Sequence, residues 1–89
     1  MWIYTKNDTL INTDNVKKFY INHEFFKITY KGHIVNEFFG LYADVLEGHS
    51  ENITIFATEN EAIQELERIF NAIALNSPCY KANGVRIGS

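Results

Sequence analysis

The chain has one cysteine, one proline and five glycines in its 89 residues, and no long apolar run. Each scarcity removes a class of protein. With Cys79 as the only cysteine there is no internal disulfide, and so none of the framework that holds small secreted domains together. A cytoplasmic setting is therefore the expectation. The single proline, Pro78, and the lack of any Pro/Gly/Ser-rich stretch leave no linker. Residues 1–76 are expected to form one sheet-plus-helix domain, with 77–89 as its C-terminal tail or an edge hairpin. The glycines are dispersed and none leads into a helix, which excludes a phosphate-cradling loop. Gly40 sits inside a strand pattern and marks a bulge or a close backbone approach.

No stretch reaches the ~20 apolar residues of a spanning helix, and "MWIYTKNDTL" turns polar by its fifth position, so neither a signal peptide nor a membrane contact is expected. Charge of neither sign dominates: 8 basic and 11 acidic residues give a net charge of −3. That excludes a polybasic footprint for nucleic acid. Lys17, Lys18, Lys27 and Lys31 can interleave with Tyr20 and Phe25 as in a single-strand binder, but alternating lysines also guard ordinary sheet edges, and the helix face is acidic.

What the chain does have is aromatic and β-branched residues in short runs. Turn residues divide positions 2–5, 9–12, 16–22, 25–31, 37–46 and 52–57 into six predicted strands of an antiparallel meander. In "TENEAIQELERIFNAIALNSP", Thr58 followed three residues later by Glu61 is a capping box that opens a helix. Ala62, Ile63, Leu66, Ile69, Phe70, Ile73 and Ala74 make its apolar stripe, with Glu61, Gln64, Glu65, Glu67, Arg68 and Asn71 mostly opposite. Asn76, with Pro78 two residues on, ends it. Asn83-Gly84 in the tail suggests a type I′ hairpin or an edge strand. The expected fold class is α+β: a curved, open-barrel meander of about six strands closed by one C-terminal helix.

Strand parity assigns faces. A two-residue loop at His23-Glu24 would set Ile21 against Phe26 and Phe19 against Ile28 on the core side. Phe39, Leu41, Ala43 and Val45 would point inward from the fifth strand, and Ile53, Ile55 and Ala57 from the sixth. Adjacent aromatics cannot both face inward, so Tyr20, Phe25, Lys27, Phe38, Tyr42 and Phe56 are the candidate outer binding face. Burial by sheet curvature, by the terminal segments or by a homodimer contact competes with that reading.

Catalytic signals are thin. "HEFFK" shares only its first two letters with HExxH. A strand over 25–31 would hold His23 and His33 about 20 Å apart, too far for one metal. In a meander the partner for His23 is instead His49, with Glu24, Glu47 and Glu51 nearby. These are weak metal or acid-base candidates, because hairpin tips lack the burial that shifts pKa values. Cys79 has no His/Asn context and reads as a small hydrophobe. No cofactor is expected.

Trp2, Ile3 and Thr5, then Leu10, Ile11, Asn12, Asp14, Asn15 and Val16, then the Thr58 to Ile73 helix, spell W-I-x-T, L-I-N-x-D-N-V and T-E-x-E-A. In these the chain resembles a group of small uncharacterised proteins of Gram-positive bacteria and their phages. The resemblance implies a curved sheet or incomplete barrel closed by one helix, similar to a pleckstrin-homology-like fold, and carries no catalytic residues. "GHIVNEFFG" and the segment after Pro78 depart from the pattern. The functional expectation is a small non-enzymatic module that binds another protein. The alternatives are a phage-encoded inhibitor of a bacterial defence or host protein, and a small metal-dependent hydrolase using the hairpin-tip histidines.

Overall fold

Up to residue 56 the chain spends its β-prone runs on seven short strands, with a single 3-10 turn at Thr13–Asn15, and only then forms an α-helix. The computed structural model describes residues 1–46 and 48–88. The strands are β1 (Trp2–Tyr4), β2 (Leu10–Asn12), β3 (Val16–Glu24), β4 (Ile28–Tyr30), β5 (His33–Val35), β6 (Phe38–Val45) and β7 (Ser50–Phe56). Helix α1 (Glu59–Ala74) and strand β8 (Cys79–Lys81) follow. The α+β class with one helix is what the sequence predicts. The strand layout differs: eight strands form three small sheets, ordered β2-β1-β8, β3-β6-β7 and β4-β5, and no sheet among the described residues closes into a barrel.

The largest departure starts at Lys31-Gly32. With φ of 49° and 82°, this pair makes a two-residue turn that sets Tyr30 against His33. Such left-handed pairs match the twist of a hairpin. The "GHIVN" segment, expected as a turn, thus holds strand β5. Strand β3 runs on through His23-Glu24, so those residues are not a hairpin loop, and it pairs directly with β6. Ile21 lies opposite Leu41 and Phe19 opposite Ala43, not opposite Phe26 and Ile28.

One face of β6 carries Leu41, Ala43 and Val45 into the main core, with Ile3, Ile11, Ile53, Ile69 and Ala82. The other face carries Phe38, which with Ile28, Tyr30 and Ile55 forms a second core under the β4-β5 hairpin. Phe38 was expected on the outer face and is fully buried (0% exposed), and Phe56 is buried too. For Phe38 the cause is the extra hairpin, which covers the face that a simple meander leaves open. For Phe56 the cause is a shift in β7, which sets it opposite Phe39 and so on the same face as Leu41. Leu41 pairs with Thr54 while Tyr42 pairs with Asn52, so Ile53 has no opposite partner. Bulged residues break the in-out alternation, and here Ile53, Thr54, Ile55 and Phe56 are all buried. Ile53 and Ile55 therefore enter different cores, and Ala57 is exposed.

At the helix ends the Thr58 cap and the Asn76 stop form as expected, but the Glu61 carboxylate engages the Thr58 hydroxyl and not the Thr58 amide of a full capping box. The Thr58 hydroxyl accepts from the Glu61 amide (3.3 Å) and donates to the Glu61 carboxylate (2.8 Å). Asn76, at φ 55°, donates to the Ile73 carbonyl and Ser77 to that of Ala72. This is the paired closure of a helix on a left-handed residue. The tail forms an edge strand and not a local hairpin: β8 runs parallel to β1, and Val85 pairs with Ile55. Gly84, at φ 97°, lies so close to β7 that a Cβ there would meet Thr54 Oγ1 and come 2.8 Å from the Ile55 carbonyl.

Candidate functional site

Alternation along β1 and β2 sends Ile3 and Ile11 inward and leaves Trp2, Tyr4 and Leu10 on the opposite face. Tyr4 pairs directly with Leu10, and Trp2 is flanked by Asn12 on one side and Cys79 on the other. The three large side chains are 48%, 47% and 50% exposed. With Cys79 they line a hollow of about 270 Å³. A second hollow of about 220 Å³ adjoins it, sharing Trp2 and Leu10 and adding Asn12, Asn15, Val45, His49 and Glu51. Trp2, Tyr4 and Leu10 are not among the candidate binding residues drawn from the sequence. The signal was present, because Ile3 and Ile11 as core residues oblige Trp2, Tyr4 and Leu10 to point outward.

The residues that were singled out do not make one face. Tyr20 and Tyr42 stack across β3 and β6, with centroids 5.3 Å apart. Tyr20 donates to Ser50 Oγ (2.9 Å), and Lys18 Nζ lies 5.6 Å from the Tyr20 ring. The Tyr42 ring lies over Gly40, where a Cβ would come within 2.5 Å of it, so the glycine makes room for the ring. Partial burial, reinforced by the Glu24 carboxylate, pushes the Tyr42 phenol up to about 12. Phe25 is the most exposed aromatic of the set (72%) and touches the His23 ring, which also stacks on Phe39. Lys27 is exposed beyond it. Phe38 and Phe56 are interior, as described above. Phe26, expected inward, is exposed and meets Phe38 edge-on.

The two candidate histidines are not neighbours. β5 adds one strand to the count, which reverses the direction of β6, so His23 sits beside Phe39 at one end of the sheet and His49 follows Val45 at the other. Most of the length of β6 lies between them, roughly 20 Å at ~3.3 Å per residue. His23 lies 3.6 Å from Glu37, and His49 lies 3.8 Å from Glu51. Glu47 is outside the described residues. Among those residues no three His, Cys, Asp or Glu side chains come together in a way that could hold a metal. None of their helices is long and apolar enough to cross a membrane.

The strongest polar cluster lies elsewhere. Glu65 is fully buried (0% exposed), although it was expected among the solvent-facing residues of the helix. Positions 62, 65 and 69 share one helical arc, and the tail packs over it. Glu65 Oε1 accepts from Arg68 Nε (2.9 Å), the Tyr80 hydroxyl (3.0 Å) and Asn83 Nδ2 (2.9 Å). Oε2 accepts from the Asn83 amide (2.8 Å). Burial, then the Glu65 charge, raises the Tyr80 phenol, while the bond to Glu65 raises the Arg68 guanidinium further. Beside this cluster a cleft of about 490 Å³ is lined by Tyr30, Lys31, Phe56, Glu61, Arg68, Asn83 and Gly84. Glu65 spends both oxygens on the tail and Arg68, so its chemistry is structural: it fastens the helix to residues 80–83. No family model, curated protein or solved structure matches the chain.

Proposed function

We propose that the chain is a small non-enzymatic module that binds another protein through the outer face of the β2-β1-β8 sheet. One observation carries this reading: Trp2, Tyr4 and Leu10 stand half-exposed side by side around an apolar hollow. Aromatic residues gathered on a rigid sheet are the composition of protein interfaces, where they bury large area at little entropic cost. The fitting occupant is a partner segment that offers one large apolar side chain to the hollow. The resemblance to small bacterial and phage proteins, with the pleckstrin-homology-like layout it implies, is in keeping with such a role.

Trp2 is the sole tryptophan, so its emission reports on this surface alone. In a displayed-peptide selection on the intact protein, binders should carry a large apolar anchor and shift Trp2 emission to the blue. Tyr4→Asp and Leu10→Asp should each abolish that shift in a chain that still folds. Binders that leave Trp2 emission unchanged, or that ignore both substitutions, would refute the assignment.

A further inference from the structure

Strand β3 leaves one edge open. It spans nine residues, Val16–Glu24, and pairs with β6 on one side. On its other side no backbone group of the described residues bonds it. The remaining edges are short or engaged: β2, β4, β5 and β8 are three residues each, and β7 is engaged by Val85 and by the Lys6 amide. A long unpaired edge is a template for another strand unless charge, proline or a bulge blocks it. β3 has no proline, its bulge lies at Lys17 near the start, and its charges are Lys17 and Lys18 at one end and Glu24 at the other.

The helix flank above that edge is also uncovered. Phe70 meets Phe19 of β3 edge-on at 5.9 Å yet stays half-exposed, and Ile63, two turns earlier on the same flank, is exposed as well. The apolar stripe of α1 is thus wider than the sheet beneath it, and the excess overhangs β3.

We propose that the chain pairs with a second copy of itself through β3, antiparallel about a two-fold axis at Ile21. The two three-stranded sheets become one six-stranded sheet. A two-fold normal to the sheet keeps each face continuous, so opposed residues share parity. With the axis at Ile21, Lys18 of each copy lies opposite Glu24 of the other, Phe19 opposite His23 and Tyr20 opposite Asn22. Moving the axis to Tyr20 would set Lys18 against Asn22, and moving it to Asn22 would set Glu24 against Tyr20. Only the Ile21 register forms both charge pairs. The same operation places the two α1 helices on one side of the sheet, with their Ile63 and Phe70 flanks turned toward each other.

Sedimentation equilibrium of the full chain over a range of concentrations tests this. The wild type should approach twice its 10.3 kDa mass. Lys18→Glu and Glu24→Lys should each weaken association by about tenfold, since each turns two attractive cross-strand pairs repulsive. The double charge swap should restore it. A wild type that is monomeric throughout, a dimer indifferent to both reversals, or two weakened variants that the swap does not rescue would each overturn the proposal. If a variant fails to fold, hydrogen exchange on the wild type decides: outward-facing β3 amides should gain protection with concentration, and unchanged protection refutes the pairing.

Discussion

Replacing Glu65 by glutamine changes one atom of the carboxylate, and the structure says what that costs. Three donors converge on Oε1 and one on Oε2, and all are donors only in these contacts. If the amide oxygen of glutamine keeps the Oε1 position, its NH2 group faces the Asn83 N–H, donor against donor. An unsatisfied buried donor costs about 1–3 kcal/mol, and losing the charge-assisted bond from Arg68 adds about 1 kcal/mol. Glu65→Gln is therefore expected to lose about 2–4 kcal/mol in urea unfolding at neutral pH. Glu65→Ala removes the acceptor of all four donors, and although the half-exposed Arg68 can turn to water, the loss should be about 3–5 kcal/mol. The loss should be felt first in the tail: the Asn83 amide should exchange faster than the amides of α1. The Tyr80 phenol should titrate lower than in the wild type, because the Glu65 charge is the second cause of its upward shift after burial. A Glu65→Gln variant within about 0.5 kcal/mol of wild type, with Asn83 exchange unchanged, would refute the view that this carboxylate fastens the tail.

Phe38→Ala should cost about 3–5 kcal/mol because it empties the second core, whereas Phe25→Ser should cost under about 0.5 kcal/mol; equal urea midpoints would contradict the orientation of β6. Tyr42 has its phenol raised from 10.0 to about 12 in the folded chain, first by burial and then by Glu24. Its contribution is fully present below pH 10 and is lost as pH rises through 12, because the unfolded chain ionises first. Screening of the partly exposed ring reduces that contribution to about 1 kcal/mol. Unfolding of wild type and Tyr42→Phe at about pH 9 and about pH 11.5 should show the extra alkaline loss only in the wild type, and parallel losses would refute it.

Helix α1 was legible because its signals are local. Thr58, Glu61 and Asn76 act within a few residues of themselves, and the structure places each where its chemistry requires. Strand partners were not legible in the same way, because pairing is decided by what else covers a face. Lys31-Gly32 shows how one turn propagates: as part of a strand end it implied six strands, and as a hairpin turn it adds β5 and reverses β6. It also separates His23 from His49 and buries Phe38. Glu65 shows a different limit. Its helical position between Ala62 and Ile69 marks it as inward-facing, but glutamate is an unusual interior residue unless donors await it. Those donors come from Tyr80 and Asn83, beyond the helix end.

The parallel pairing of β1 with β8 has a consequence in time. Trp2 is matched to Cys79 and Tyr4 to Lys81, with the Trp2 amide bonded to Pro78 and the Ala82 amide to Tyr4. Among the described residues no other strand pair joins segments so far apart along the chain. Contacts of such separation are slow to form, because nearly the whole chain must be ordered before they repay the loop they close. β1 can pair early with β2, but its second edge waits until the helix has delivered the tail. The surface that carries Trp2 and Tyr4 is thus complete only when the last strand docks, which makes its assembly a readout that folding has finished.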